Sequence, residues 1–220
     1  MAKQTAAKRV REPDVTREKL LHAAFEEIHR RGFQAASIDS ILAATGVTKG
    51  ALYHHFPSKA DLGYAVVDEM ITGILLDELV QPLDQFADDP ITGLQRVLRN
   101  KYAIGASDWV PLGCPLQNLA QEMSPLDETF RSKLKGIFDT WRSEFAKALE
   151  RGQADGTVRK QVDTKKVAAF VVAAVEGSIG LAKNARSPQL LRSNLEVLDT
   201  YLDELRPSKN RRLTRPSRLR

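Results

Sequence analysis

The sequence predicts an all-α protein with a small N-terminal domain of three helices in helix-turn-helix order and a larger helical domain behind it. Apolar residues recur at intervals of three and four along most of the chain, which is the spacing of one face of an α-helix. No stretch of useful length alternates apolar and polar residues as a strand would. Glycine and proline residues divide the helical pattern into about nine segments.

The composition narrows the class of protein. The chain has 220 residues and a single cysteine, which excludes an internal disulfide framework and favours a reducing cytoplasm. It contains no run that approaches the ~18 apolar residues of a membrane-spanning helix, and its basic N-terminus lacks the apolar segment of a secretory signal. We therefore expect a cytoplasmic protein with no membrane partner.

Charge is distributed unevenly along the chain. The net charge is only +5, yet residues 206–220 carry seven Lys and Arg and no acidic residue, and residues 1–62 are also net basic. The stretch between them is net acidic, so only the two ends suit contact with a polyanion. The predicted regions are a basic disordered arm (1–14), a helix-turn-helix domain (15–62), a larger helical domain (63–205) and a basic disordered tail (206–220).

The first predicted helix covers residues 16–31, and the stretch SIDSILAATGVTKGALYHHFPSK (37–59) follows it. In that stretch Ser37 is a good N-cap for a second helix, and glycine at position 46 permits the left-handed backbone of a sharp stop. Thr48 then caps a third, very short helix over residues 49–54. A short helix held by a glycine turn against its predecessor is the helix-turn-helix arrangement.

The outward side of the short helix carries candidate DNA contacts. Ala51, Leu52 and Phe56 can face the core, which leaves a cation, a glycine, a phenol and imidazoles outside. Cations and imidazoles can meet phosphates, a phenol offers a donor, and glycine lets the backbone come close to DNA. These outward residues are Lys49, Gly50, Tyr53, His54 and His55.

This stretch resembles the DNA-binding domain of the TetR/AcrR transcriptional regulators, in the segment IDSILAATGVTKGALYHHFPSKADL. Ala60 and Ala36 depart from the family pattern, which often has Glu and Thr there. The resemblance implies a homodimer that binds double-stranded DNA at a pseudo-palindromic operator, in most cases as a repressor. Carried over by position, the DNA contacts are Ser37, Thr48, Lys49, Gly50, Tyr53, His54, His55 and Lys59.

The predicted helices that follow cover residues 58–80, 90–107, 115–122 and 126–151. Along the first of them, Leu62, Val66, Met70 and Ile74 should trace the buried face, and Pro82 should stop it. Prolines and glycines break up an irregular segment between the second and third. Gly152 is expected to end the last.

The two final helices predict a dimer. Thr164 should cap a helix to about Asn184 that is apolar nearly all round, and leucines repeat in steps of four and three after Pro188. So much apolar surface favours a homodimer through a four-helix bundle, with packing inside one chain as the alternative. The candidate interface residues are Phe170, Ala174, Gly177, Leu181, Leu191, Leu195, Leu198 and Leu202.

Most of the large aromatic side chains of the larger domain lie around the irregular segment, which predicts an apolar ligand pocket between helices. Core packing is the alternative for any one of them. The resemblance adds weight, because TetR-like regulators hold an inducer in the helical body, and its binding changes the spacing of the two recognition helices. The candidate ligand contacts are Tyr102, Trp109, Cys114, Asn118, Phe138, Trp141 and Phe145.

Two titratable side chains of this domain have several interpretations. Cys114 is either a small apolar filler of the core or a sensor thiol, activated by the start of the helix at Pro115. Glu176 interrupts an otherwise apolar helix. It can pair across the dimer, line the pocket or reach solvent. Because a buried, unpaired carboxylate is costly, we expect it to have a partner.

No catalytic constellation is found. The chain lacks a nucleophile elbow, a phosphate-binding loop and a dinucleotide fingerprint, and every histidine precedes Phe56. We therefore expect no enzyme activity, no cofactor and no metal. The predicted function is a DNA-binding regulator that a small apolar or electrophilic molecule releases from its operator. The alternatives are a thiol-based sensor acting through Cys114 and a nonspecific DNA-binding protein that uses both basic ends.

Overall fold

The structure is a computed structural model that describes residues 12–103 and 106–207. Within those ranges it contains eleven α-helices and no strand, which confirms the predicted all-α class. The chain divides into two compact units, Met1–Met70 and Ile71–Arg220. The expected disorder of residues 1–11 and of most of the basic tail lies outside the described residues.

The first unit contains α1 (Glu12–Arg31), α2 (Ile38–Thr45), α3 (Lys49–His55) and α4 (Lys59–Ala65). Their shared core is formed by Leu20, Leu21, Ala24, Ile28, Ile41, Leu52, Phe56 and Leu62. Helix α1 begins four residues before the predicted start, so the last part of the expected disordered arm is helical. A proline is tolerated in a first helical turn, where its missing N–H is not needed.

The helical backbone does not stop at Pro82 as predicted. After α4 it continues as a π-helical stretch, Val66–Ile71, then α5 (Thr72–Leu75), a second π-helical stretch, Leu76–Val80, and the 3-10 turns of Gln81–Phe86. Pro82 lies in the first turn of the 3-10 segment, where no N–H is required of it.

The buried face of this stretch also differs from the predicted one. It follows Val67, Ile71, Leu75, Leu79 and Leu83 in steps of four. Two residues of the predicted face, Met70 and Ile74, are only half-buried, and two others, Leu62 and Val66, are buried. Hydrogen bonds that span five residues widen a turn, so residues four apart stay closer to one face than in a regular α-helix.

The second unit contains α6 (Pro90–Tyr102), α7 (Ala106–Trp109), α8 (Pro115–Met123), α9 (Glu128–Ala154), α10 (Thr164–Ala185) and α11 (Pro188–Asp203). The single helix predicted over 90–107 is therefore two helices. Packing of α10 against α9 and α11 builds the centre of this unit, with α6 and α8 also against α9. Its largest buried side chains are Trp141, Phe130, Phe145, Ile91, Leu94, Leu98, Leu134, Leu149 and Ile179.

Two predicted helix ends in this unit are wrong. Gly152 does not end α9, which continues to Ala154. A Cβ at Gly152 would lie 2.6 Å from both Pro90 Cγ and Val158 Cγ2. This glycine therefore permits close packing of the helix against those side chains. Helix α10 is capped by Asp163, whose side chain accepts from the Lys166 N–H, and not by Thr164. After α9, the chain turns at Gly156, which has a left-handed φ of 76°.

The leucine seam of α11 faces its own chain. The four leucines proposed for the dimer interface, Leu191, Leu195, Leu198 and Leu202, are all buried within one chain, so their assignment to an interface is wrong. They are covered because α11 packs along α10 and α6. Of the described residues, only α10 forms a helix long and apolar enough to cross a membrane, a criterion that core helices of soluble proteins also meet.

Candidate DNA-binding surface and ligand clefts

The turn between α2 and α3 fixes a short, exposed helix on the first unit. Gly46 adopts a left-handed φ of 68° and donates its N–H to Leu42 O at 2.9 Å, which ends α2. Thr48 Oγ1 then accepts from the Ala51 N–H at 3.3 Å and starts α3. Leu52 and Phe56 are buried, so they anchor the inner side of α3 as predicted.

The outer side of α3 holds the predicted DNA contacts together. Thr48, Lys49, Gly50 and His54 are exposed, and the Tyr53 side chain is 39% exposed although it is large and aromatic. His55 is half-buried, with its ring edge-on to His54 at 5.4 Å between centroids. This face combines donors, a cation and an open backbone position, which is the chemistry that phosphates and base edges accept.

A buried glutamate, which the sequence analysis did not single out, secures the start of α2. Ser37 Oγ accepts from the Ser40 N–H at 3.3 Å, and the Ser37 N–H donates to Glu27 Oε1 at 3.2 Å. Glu27 is buried and pairs with Arg31 at 3.4 Å. The Ser37 hydroxyl is held at the helix N-terminus, where it can still donate to a phosphate.

Lys59 has contacts within its own unit. Its ammonium donates to Gln34 O at 3.0 Å and lies 5.0 Å from the centre of the Phe33 ring. An ammonium has three donors, so the proposed contact of Lys59 with DNA does not require the loss of the bond to Gln34. Ser58 caps the start of α4, since the Asp61 N–H donates to Ser58 Oγ at 3.1 Å.

Among the clefts formed by the described residues of the second unit, two are lined by Glu176: one lies among α8, α9 and α10, and the other between α8 and α10. The larger, of about 600 Å³, is lined by the apolar Leu134, Phe138 and Val172 and by cationic side chains of α9. The smaller, of about 480 Å³, is lined by Cys114, Asn118, Gln121, Ile179, Leu181 and Lys183. Gln117, Glu176 and Gly177 line both clefts.

Both units match families of known proteins. Residues 20–66 match the family described as bacterial regulatory proteins of the tetR family, and residues 90–198 match the tetracyclin repressor-like C-terminal domain. An uncharacterized HTH-type transcriptional regulator of Lactococcus lactis is 30% identical over 86% of this chain and 94% of its own length. The chain belongs to the TetR family of transcriptional regulators.

Other relatives support the same assignment. The HTH-type transcriptional repressor DhaR of a Mycobacterium species is 29% identical over 84% of this chain and 88% of its own. A TetR regulator from Chloroflexus aurantiacus has a TM-score of 0.78 and 28% identity, over 90% of this chain and 98% of that one. TetR-family proteins are non-enzymatic DNA-binding regulators, so the expected lack of enzyme activity is confirmed.

The structure separates the predicted ligand contacts of this TetR-family chain into two groups. Cys114 and Asn118 line the smaller cleft and Phe138 lines the larger one. The other four line neither: Tyr102 packs edge-on against Trp109, with ring centres 5.7 Å apart, and Trp141 against Phe145 at 6.0 Å. For those four side chains the alternative interpretation, core packing, fits the structure.

Asn118 and Lys183 close one side of the smaller cleft. The Asn118 side chain donates from Nδ2 to Leu112 O at 2.7 Å and accepts at Oδ1 from Lys183 Nζ at 3.1 Å. Lys183 crosses Gly113, where a Cβ would lie 2.8 Å from Lys183 Cδ. Gly113 also has a left-handed φ of 77°, a backbone conformation that favours glycine. Lys183 is not among the predicted ligand contacts, and no local pattern in the sequence marks it.

Cys114 is not a thiolate. It is buried, and burial raises the pKa of its thiol well above the ordinary value, with the nearby Glu176 carboxylate raising it further. Backbone N–H groups at the start of α8 lower the pKa by less than burial raises it. The expected activation by the helix N-terminus is therefore wrong, and Cys114 behaves as a small apolar side chain.

Glu176 does not reach solvent, which removes one of its three interpretations. The residue is 6% exposed, and neither carboxylate oxygen has a hydrogen-bond partner within the described part of the chain. Burial raises its pKa to about 7. The Cys114 thiol, a weak donor nearby, lowers the pKa of Glu176 by less than burial raises it. Its geometry does not meet the criteria for a hydrogen bond to either oxygen.

Proposed function

We propose that this TetR-family chain is a homodimeric repressor that binds a pseudo-palindromic operator through α3 and releases it when a small molecule enters the second unit. The observation that carries the proposal is the outer face of α3. Its anchoring residues are buried while Lys49, Gly50, Tyr53 and His54 remain exposed on one short helix. Lys49 and Gly50 begin the helix and are the candidates nearest to base edges.

A second copy of the chain is the proposed partner of α10. Its exposed residues include Phe170, Ala173, Gly177 and Gly180, which follow steps of three and four. Phe170 and Leu181 are 52% and 60% exposed, which is unusual for large apolar side chains. Phe170 also packs edge-on against Tyr201 of α11 at 5.1 Å, so the apolar face spans both helices. Small residues on such a face permit close approach of another helix.

The clefts supply room for an inducer. Each lies within the 300–1,000 Å³ range of small-molecule sites, and both combine apolar walls with a few polar groups. We infer that the inducer binds among α8, α9 and α10, where Phe138, Cys114 and Asn118 are the predicted contacts. The helical stretch from Lys59 onward is the covalent path by which occupation of a cleft reaches the first unit.

Binding to the DNA upstream of its own gene, with random DNA as competitor and across a salt series, tests the proposal. A footprint of two half-sites that resists the competitor is expected. Lys49→Ala and Tyr53→Ala should each weaken operator binding by about 1–3 kcal/mol, with unchanged thermal stability. Binding that random DNA removes equally well, and that disappears when residues 206–220 are deleted, would instead identify a nonspecific DNA-binding protein.

Sedimentation of the purified protein tests the dimer. Leu181→Glu should produce monomers, because it places a charge in the proposed interface. Leu126→Glu is the matched control, since Leu126 is 61% exposed and lies before α9, outside α10 and α11. Monomer formation by both variants, or by neither, would contradict this interface.

A further inference from the structure

The two clefts of the second unit share Glu176, whose carboxylate has no hydrogen-bond partner in the described part of the chain. Glu176 contributes to the walls of both, is 6% exposed, and has two buried oxygens without a hydrogen bond among the described residues. Such a group is rare in folded proteins, where buried polar atoms are hydrogen-bonded with few exceptions. An uncompensated buried charge also destabilises the fold. The chain therefore retains a group that its own packing does not satisfy.

The cations that line the two clefts are already engaged elsewhere. In the smaller cleft, Lys183 Nζ donates to Asn118 Oδ1. In the larger, Arg131 is paired with Glu128, and Lys135 and Arg142 are paired with Asp139. Within the described part of the chain, none of them forms an ion pair with Glu176. Among the described residues that line the two clefts, no cation is therefore free to pair with this carboxylate, which leaves room for a charged partner supplied by a ligand.

We propose that the smaller cleft binds a small organic molecule with a protonated amine, which donates its N–H groups to the Glu176 carboxylate. The inference rests on the proposed function, because it names the chemical class of the inducer. Charge-assisted hydrogen bonds of this kind are stronger than neutral ones. The remaining walls suit the rest of such a molecule: Ile179 is apolar, and Gln117 and Gln121 offer amide groups.

Among the described residues that line the smaller cleft, Glu176 is the acidic one, so it is the group there that attracts a cation. Cys114 at the start of α8 and Tyr102 of α6 both have pKa values raised by burial, so both are neutral at pH 7. The Glu176 carboxyl itself has a pKa of about 7 and is partly protonated there. The charged groups nearby are Lys183 and the paired cations of α9. Amine binding should thus strengthen as pH rises from 6 to 8 and Glu176 ionises.

Calorimetric titration of the full-length protein at pH 8 with three matched probes tests the inference. The probes are 2-phenylethylamine, 2-phenylethanol and 3-phenylpropanoate, which share a ring and differ in charge. The amine is expected to bind at least about tenfold more tightly than the alcohol or the carboxylate. Glu176→Gln should weaken amine binding by about ten- to a hundredfold and leave alcohol binding unchanged.

Glu144→Gln is the matched control, because Glu144 pairs with Lys147 on α9 and lines neither cleft. It should bind the amine as the unmodified protein does. Equal affinity of the unmodified protein for amine and alcohol, or equal amine affinity of the Glu176→Gln variant, would overturn the inference. So would an amine affinity that does not change between pH 6 and 8, a measurement that needs no variant.

The same variant distinguishes a ligand from a second chain. If Glu176→Gln changes the dissociation constant of the dimer and leaves amine affinity unchanged, the carboxylate pairs across the dimer and the inference is wrong. The operator footprint is measured without any probe. Loss of amine selectivity with an intact footprint overturns only this inference, whereas a missing footprint with selective amine binding overturns only the proposed repressor.

Discussion

The helix-turn-helix unit and the larger helical unit use their polar side chains in opposite ways. In the first, hydroxyls cap helices and the remaining polar groups of α3 lie at the surface, so candidate function is visible as exposure. In the second, the carboxylate of Glu176 and the indole N–H groups of Trp109 and Trp141 are buried without a hydrogen-bond partner among the residues that the structure describes. In that unit, incomplete hydrogen bonding is the observation that points to candidate functional residues.

This difference implies that the two units should respond differently to substitution. Changes on the outer face of α3 should alter DNA affinity at little cost in stability, because those side chains support no core contact. Changes at the buried polar groups of the second unit should alter stability and ligand response together. The following variants test this division, beginning with the largest expected effect.

Trp141→Ala should give the largest loss of stability. Trp141 is almost fully buried and packs edge-on against Phe145, so its removal leaves a cavity that costs about 3–5 kcal/mol. Chemical denaturation measures the change in the free energy of unfolding. Phe138→Ala, one turn earlier on α9, is the control: it is half-buried and lines the larger cleft, so a smaller loss is expected. Equal losses would contradict the distinction between core and cleft.

Glu176→Gln should remove a pH dependence of stability. The folded pKa of about 7 lies above the ordinary 4.5, so the folded state holds the proton more tightly than the unfolded state. Stability therefore falls as pH rises from about 4.5 to 7, by an amount on the order of 3 kcal/mol. Unfolding curves at pH 5 and pH 8 should differ less for the glutamine variant than for the unmodified protein.

A stability that rises with pH in this window, or a pH dependence that Glu176→Gln leaves intact, would show that the carboxyl is satisfied in the folded protein. The two units would then not differ in the way described above. Glu144→Gln, at a solvent-exposed ion pair, provides the reference curve, because such pairs contribute little to stability.

The same contrast explains how much of the molecule could be predicted from sequence. Ser37, Thr48 and Gly46 satisfy groups only three or four residues away, so local patterns sufficed for the helix-turn-helix and its exposed face. In the second unit the deciding contacts are long-range. The leucine seam of α11 is covered by α6, about 100 residues earlier, and its periodicity is the same whether it faces its own chain or another.

The candidate ligand site shows a similar limit. Aromatic content indicated the correct part of the chain but could not separate the core rings of Tyr102 and Trp141 from Phe138, which lines a cleft. Nor could sequence decide among the three interpretations of Glu176, since its burial is set by helices from distant positions. The thiolate expected at Cys114 failed because burial outweighs the helix N-terminus, and burial is not a local property.

Gly152→Ala tests whether long-range packing replaces local capping in the second unit. A Cβ at Gly152 would lie 2.6 Å from two side chains, Pro90 and Val158, so the variant should lose about 1–3 kcal/mol. Gly136 is on the same helix with no atom within 4 Å of a Cβ, so Gly136→Ala should gain about 0.5–1 kcal/mol through helix propensity. Gains in both variants, measured by denaturation, would show that α9 ends at Gly152 in solution.

Gly50→Ala should give the smallest change in stability. It also separates an effect on the fold from an effect on DNA binding more clearly than the other variants do. Gly50 lies in α3 with no atom within 4 Å of a Cβ, so alanine should stabilise the helix by at most about 1 kcal/mol. The added methyl group stands on the proposed DNA face, where glycine permits close approach of the backbone. Operator affinity should therefore fall while the melting temperature stays level or rises.

Gly136→Ala carries the same propensity gain away from α3 and should leave operator affinity unchanged. If Gly50→Ala binds operator as tightly as Gly136→Ala, the start of α3 does not approach DNA closely, and exposure alone would not identify the contacts of this unit.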